Sequence, residues 1–150
     1  MPAATSCGIP HDPEDSLDRI RQTGVLRAGF TVREPWVTAD GTGAPAGPEA
    51  EVVLRFAGSL GARVDWRQGS ESELFEALGR FELDVVIGGL TADNPAGPSL
   101  GLTRPYVERD QKQHVMAAAP GENRLLVALE RAVRAHALSV ASSVGGKAIE

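Results

Sequence analysis

Cysteine is nearly absent from this chain of 150 residues; Cys7 stands alone. One thiol cannot build an internal disulfide framework or a Cys-rich zinc site. Histidine is scarce too. His11, His114 and His136 lie far apart with no metal-ligand spacing, so no metal site is expected. Aromatics amount to two Trp, one Tyr and four Phe, which disfavours a base-stacking surface. Positive charge is in deficit: the formal net charge is -5. Phosphate recognition wants clustered Lys and Arg, so no nucleic-acid partner is expected. No apolar run reaches the roughly 18 residues of a membrane-spanning helix.

What is there suits one globular domain. The length fits a single core, and 42% hydrophobic with 23% charged residues is ordinary composition. The first fifteen residues are polar and Pro-rich and read as a flexible N-terminal segment. Met1 to Ser6 is too short for a signal peptide. The small residues before Cys7-Gly8 resemble the mature start of a bacterial lipoprotein, which would need an apolar leader upstream. A free thiol in a polar tail is the equal alternative.

From Ser16 onward, helix and strand signals alternate. "SLDRIRQTG" reads as a short helix capped by Ser16 and stopped by Gly24. "VLRAGFTV" is a first strand, and the Gly- and Pro-rich segment after it is a loop. The next helix, about Glu49 to Leu60, carries the stripe Val52, Val53, Phe56, Ala57, Leu60. "ARVDWRQ" alternates as a strand. Ser70 and Glu73 form a capping box for a helix from Glu71 to about Arg80. "LDVVIGG" is a continuous apolar run, the pattern of a strand buried on both faces of a parallel sheet. A fourth strand is expected over Gln113–Ala119 and a long helix after it. Residues 139–150 are rich in small side chains and read as a disordered tail. The class is therefore α/β with a mostly parallel central sheet and helices on both faces, the domain running over 16–138.

In such sheets ligands sit beyond the carboxyl ends of the strands. The loops after Val32 and after Ile87 both fall there. Gly88-Gly89-Leu90-Thr91 lacks the Lys of a phosphate loop and the spacing of a dinucleotide fingerprint, so no nucleotide cofactor is expected. The remaining readings are a structural turn, or a loop offering its backbone and the Thr91 hydroxyl to a small ligand. Asp93 either binds a cation or caps the turn before Asn94-Pro95. Trp36 either stacks on a ligand or covers the domain edge. Arg33 can pair with an acidic ligand. Glu49 and Glu51 sit in the first turn of a helix, where carboxylates favour the dipole, and that is the role expected of both. No Ser/His/Asp set reads as a triad, and no catalytic residue is expected.

Four motifs in order carry a resemblance. "GVLRAGFTVREPWV", "GPEAEVVLRFAGSLGARVDW", "SELFEALGRFELDVVIGGLTAD" and "GLTRPY" resemble the first lobe of bacterial extracellular solute-binding proteins of family 3. These are periplasmic amino-acid-binding proteins with a two-lobed type II fold. "HVMAAAPGENRLLVALERAV" resembles the closing strand and helix that return to lobe one. The family places a second lobe of roughly 90 residues, a compact domain size, where this chain has only Val107 to His114. The resemblance thus implies a three-layer single lobe of a type II periplasmic binding protein.

It also implies ligand-facing positions. The family's stacking aromatic falls on Arg33, and Trp36 keeps an aromatic after the loop proline. The strand-end ligand positions fall on Gly89 and Thr91, and Ser70 and Glu71 at the start of a helix face the cleft. The family's carboxylate-binding Arg is replaced by Ala96, which removes a bidentate anchor. The implied function is a non-enzymatic solute-binding module of the periplasm or cell envelope. It would serve ABC-type transport or sensing of a small polar or acidic solute. With half a cleft, three routes stay open: weak binding of a solute, formation of a homodimer, or docking on a membrane transporter as a ligand-free interaction protein. A dehydratase-like enzyme ranks below these.

Overall fold

The computed structural model describes residues 12–150. Cys7 and His11 lie outside the described residues, as does most of the expected flexible segment. Its last residues are docked. The Asp12 carboxylate accepts from the backbone N–H groups of Asn123 at 3.1 Å and Arg124 at 3.0 Å. It thereby caps α4 (Asn123–Val144), whose own N-cap Glu122 makes no side-chain cap bond. Glu122 instead reaches across to accept from Glu14 N–H at 2.7 Å and Ser16 N–H at 3.3 Å. Each helix start is satisfied from the other's flank. The expected Ser16 cap of α1 (Ser16–Thr23) is therefore corrected: Asp15 occupies the cap position and no side chain caps there. Gly24 does end the helix, in the left-handed region at φ 69°.

Three strands, β1 (Val25–Phe30), β4 (Arg63–Gln68) and β5 (Val85–Ile87), form the parallel heart of a five-stranded sheet. Its order is β4-β1-β5-β9-β6, with β6 (Gly101–Leu102) and β9 (Ala117–Ala118) completing one side. β9 runs antiparallel to both its neighbours. Side chains alternate across the sheet. Ala28, Phe30, Val85, Ile87 and Ala118 face α1, α2 (Pro48–Ser59) and α4. Val86 and Ala117 face α3 (Glu71–Gly79) on the other side, with Leu74, Ala77 and Leu78. The three-layer α/β expectation stands.

The α3 capping box is present, with Ser70 and Glu73 bonding each other's backbone N–H at 3.2 Å and 3.1 Å. Such a cap contributes about 1 kcal/mol. Leu74 and Leu78, both fully buried, contribute roughly 2 kcal/mol each. Packing, more than capping, holds the helix on the sheet. Gly29 makes that close packing feasible. A Cβ there would stand 2.7 Å from Leu74 Cδ2 and 2.8 Å from Leu83 Cδ1.

Two sequence expectations change. Gln113–Ala119 is not one strand. It divides into β8 (Lys112–His114) and β9, which belong to different sheets. Residues 139–150 are not a disordered tail: α4 continues through Val144, where Val140, Ala141 and Val144 are buried. Beyond it, β10 (Lys147–Ala148) pairs antiparallel with β7 (Val107–Arg109). The small residues that look like fraying material are what lets the helix end pack closely. The Gly- and Pro-rich loop after β1 also contains a minimal hairpin of β2 (Thr38–Ala39) and β3 (Pro45–Ala46).

β7 and β8 pair antiparallel as a hairpin over the short segment between Tyr106 and Val115. Its turn is Asp110-Gln111, with φ of 52° and 63°. Positive φ at both central residues is the type I′ signature, whose twist matches that of the strands. Neither residue is the Gly that this turn favours. Replacing Asp110-Gln111 by Asn-Gly should therefore stabilise the protein by about 1 kcal/mol. The check is a rise in the urea midpoint with an unchanged m-value.

Candidate functional site

The loops after β1 and β5 and the start of α3 meet at one edge of the sheet. There they enclose an open, mostly polar cavity of about 300 Å³. Five of the seven ligand positions expected from sequence line it: Arg33, Glu71, Gly89, Thr91 and Asp93. Leu90, Asn94 and Pro95 complete the wall. Ser70 stays behind as the cap of α3, one residue from Glu71.

Trp36 is placed differently. Only 3% of it is exposed. Its ring stacks on His114 with centroids 3.7 Å apart and planes 22° from parallel. The ring supports the Gly88-Gly89 loop from inside and offers no free face to a ligand. Of its two sequence readings, packing at the domain edge is the one realised.

The exposed side chains of the cavity are already engaged. Arg33 lies 3.6 Å from Glu71, an exposed cation beside a half-buried carboxylate, a pair worth under about 1 kcal/mol. Asn94 donates to the other Glu71 oxygen. The Thr91 hydroxyl donates to Asp93 at 2.5 Å, and Lys112 reaches Asp93 at 3.1 Å. The Thr91 hydrogen bond and then Lys112 hold the Asp93 carboxyl below its ordinary range. A solute entering here must exchange these contacts for its own.

The glycines are sterically required. A Cβ on Gly88 would stand 2.2 Å from Thr31 Cγ2. Gly89 has φ 61°, and a Cβ there would stand 2.7 Å from Arg33 Cδ and 2.9 Å from Trp36 Cδ1.

Behind the glycines sits the residue that sequence reading placed wrongly. Glu49 is fully buried. One carboxylate oxygen accepts from Gly89 N–H at 2.8 Å and Gly88 N–H at 3.3 Å. The other accepts from the buried Tyr106 hydroxyl. Its expected role at the helix dipole is therefore secondary. The signal for burial was present: Glu49, Val52, Val53 and Phe56 share the i, i+3, i+4, i+7 face, and all four are buried. Glu51, one face round, is exposed. Tyr106, Asn94 and Lys112 are further members of the site that sequence reasoning left out.

Burial raises the Glu49 carboxyl above its ordinary value, against the hydrogen bonds from Tyr106, Gly89 and Gly88. Burial, then the Glu49 charge, pushes Tyr106 well up. His114 is lowered, chiefly by burial and further by Arg109 and Arg33, while backbone groups of Gly89 and Leu90 oppose the shift. Its Nδ1 has no hydrogen-bond partner among the described residues. These buried groups have fixed partners or none, and they lie under the cavity wall. No group of three or more His, Cys, Asp or Glu forms a metal cluster among the described residues.

No family model matches the sequence. The membrane-bound lytic murein transglycosylase F of Vibrio cholerae serotype O1 is 34% identical over 100 residues, covering 62% of this chain and 19% of that protein. The Vibrio campbellii protein of the same name is 31% identical over 93 residues, 61% of this chain and 17% of that protein. The chain thus spans less than a fifth of the length of these relatives. Among solved structures, the arginine-bound form of domain 1 from the T. maritima arginine-binding protein superposes with a TM-score of 0.70. It is 21% identical and covers 79% of this chain and 98% of that one. The ancestral amino-acid-binding protein AncCDT-1, a precursor of cyclohexadienyl dehydratase, gives a TM-score of 0.73 at 12% identity, covering 86% and 99%.

Two outcomes follow from the Glu49 geometry. Glu49→Leu leaves two N–H groups and a hydroxyl unsatisfied in the core and should cost about 3–5 kcal/mol in urea unfolding. Glu49→Gln keeps an acceptor for the glycines and should cost far less. The raised Glu49 pKa means the folded state holds its proton more tightly than the unfolded chain. Its contribution is full below the ordinary value of 4.5 and is lost as pH rises through the folded value. Glu49→Gln should abolish that component. The lowered His114 pKa has the opposite sign: its contribution is full above 6.5 and is lost as pH falls through the folded value. His114→Gln should remove that acid-side loss in the same unfolding series.

The layer order, the strand directions and the placement of the strand-end loops together give this chain the fold of a single lobe of a periplasmic binding protein, as in domain 1 of the arginine-binding protein.

Proposed function

We propose that the chain is a non-enzymatic solute-binding module of the cell envelope, and that its ligand is a small polar solute held at the ends of β1 and β5. The observation that carries this reading is the convergence of Arg33, Glu71, Gly89, Thr91 and Asp93 on one open cavity. Glu71 and Asp93 would receive a cationic group. Arg33 would receive an anionic one. The Thr91 hydroxyl and the exposed loop backbone would fix orientation. Ala96 supplies no guanidinium, so the anionic end of an amino acid would rest on Arg33 alone, with weak affinity. An open half-cleft leaves water on the ligand, which also keeps affinity low.

The resemblance to arginine- and amino-acid-binding proteins supports a solute of that general size and polarity. A transporter or a second copy of the chain would be the partner that completes the cleft. Lipid attachment through Cys7 belongs to the same proposal and would hold the module at the membrane surface. A second reading rests on the murein transglycosylase relatives. In it the module serves a cell-wall enzyme as a non-catalytic part, and the solute is a murein fragment.

Backbone amide shifts measured by NMR against arginine, glutamate, putrescine and a soluble murein peptide separate these readings. The proposal expects saturable shifts at Gly89, Thr91 and Asp93 with at least one probe. Glu71→Ala should weaken a cationic probe roughly tenfold. A murein peptide as the single active probe supports the second reading. Absence of shifts at the cavity with every probe rejects a solute-binding role for it.

A further inference from the structure

A second cavity, of about 230 Å³, lies between α4, the segment leading into β7, and the end of the chain after β10. It shares no lining residue with the strand-end cavity. Its floor is apolar: Pro105, Tyr106, Val133 and Ile149. Tyr106 and Val133 belong to the core. Ile149 N–H donates to the Tyr106 carbonyl at 3.0 Å, so the floor is built from fixed pieces.

Two guanidinium groups, Arg104 and Arg134, border this floor. Neither has a carboxylate within ion-pair distance among the described residues, although six other arginines do. Glu130 also lines the cavity, but one of its oxygens is committed to the Arg104 backbone N–H at 3.0 Å. Glu150 at the rim is exposed. A hydrophobic floor beside two uncommitted guanidinium groups is complementary to one class of molecule: a short apolar body ending in a carboxylate. The apolar part would cover Val133 and Ile149. The carboxylate would accept charge-assisted hydrogen bonds from Arg104 and Arg134.

The geometry points to this cavity, formed by Arg104, Arg134, Tyr106, Val133 and Ile149, as a binding site for a small carboxylate with an apolar body. The site is separate from the strand-end cavity and does not depend on what binds there.

The probes are 4-methylvalerate and its neutral analogue 4-methylvaleramide, titrated into isotopically labelled full chain. Millimolar 4-methylvalerate should shift the amides of Arg104, Tyr106, Val133 and Ile149 in a saturable way. The amide analogue should bind about tenfold more weakly, since a hydrogen bond to a charged group is lost with the charge. Arg104→Ala and Arg134→Ala, both at exposed positions, should each weaken 4-methylvalerate by about tenfold while leaving the fold intact by circular dichroism. Shifts confined to Gly89, Thr91 and Asp93 would place the carboxylate in the other cavity and overturn the inference. So would equal binding of the amide, unchanged binding in both arginine variants, or no saturable shift at all.

Discussion

The Glu49 carboxylate receives the amides of Gly88 and Gly89 on one oxygen and the Tyr106 hydroxyl on the other. All of these groups are buried, where an unmet donor costs more than a met one contributes. The three therefore hold one another in place. α2 presents the acid from its first turn, the strand-end loop follows β5, and Tyr106 leads into β7. One side chain ties three chain segments, far apart in sequence, to a single point beneath the cavity. The loop's outward shape follows. With its amides turned inward to Glu49, it leaves Thr91, Asp93 and the backbone beyond to face solvent. Trp36 closes the remaining side by stacking on His114.

The rest of the fold closes on itself. A two-residue turn links β7 to β8, and β10 adds a third strand to that small sheet. Residues near both ends are bound in. Asp12 caps α4, and Glu122 at the start of α4 satisfies the entry to α1. The long helix α4 then crosses the sheet face and buries Leu125, Leu129, Val133, Ala137 and Val140 along one stripe. These contacts satisfy the starts of α1 and α4 from each other's flank and give β7 a partner on both sides.

Much of this was legible from local pattern. The apolar run 83–87, the alternation before Gln68 and the Ser70–Glu73 box each depend on near neighbours alone, and each is realised. Residues 139–150 misled because small side chains signal both fraying and tight helix packing, and burial alone separates the two. Gln113–Ala119 misled because a strand can leave one sheet and enter another without any break in its apolar pattern. Of the site, Arg33, Glu71, Gly89 and Thr91 were reached through ordered motifs that resemble a family, and Asp93 through its place in the turn before Asn94-Pro95. Trp36 was reached too, but with its ring facing inward. Glu49 was visible as a helix-start acid and hidden as a buried one, although it lies on the same face as Val52, Val53 and Phe56.

By itself, then, the sequence determined the succession of helices and main strands as far as β5, the glycines at the strand end, and the class of fold. Those depend on periodicity, capping and steric size, which act within a few residues. Only the tertiary structure decided which polar groups face inward. Glu49, Tyr106 and His114 are buried because distant segments cover them, while Arg33, Glu71 and Asp93 share a cavity because the ends of two parallel strands lie side by side. Burial and proximity across the chain carry no local signature, and they set both the charge state of the inner groups and the chemistry the surface can offer.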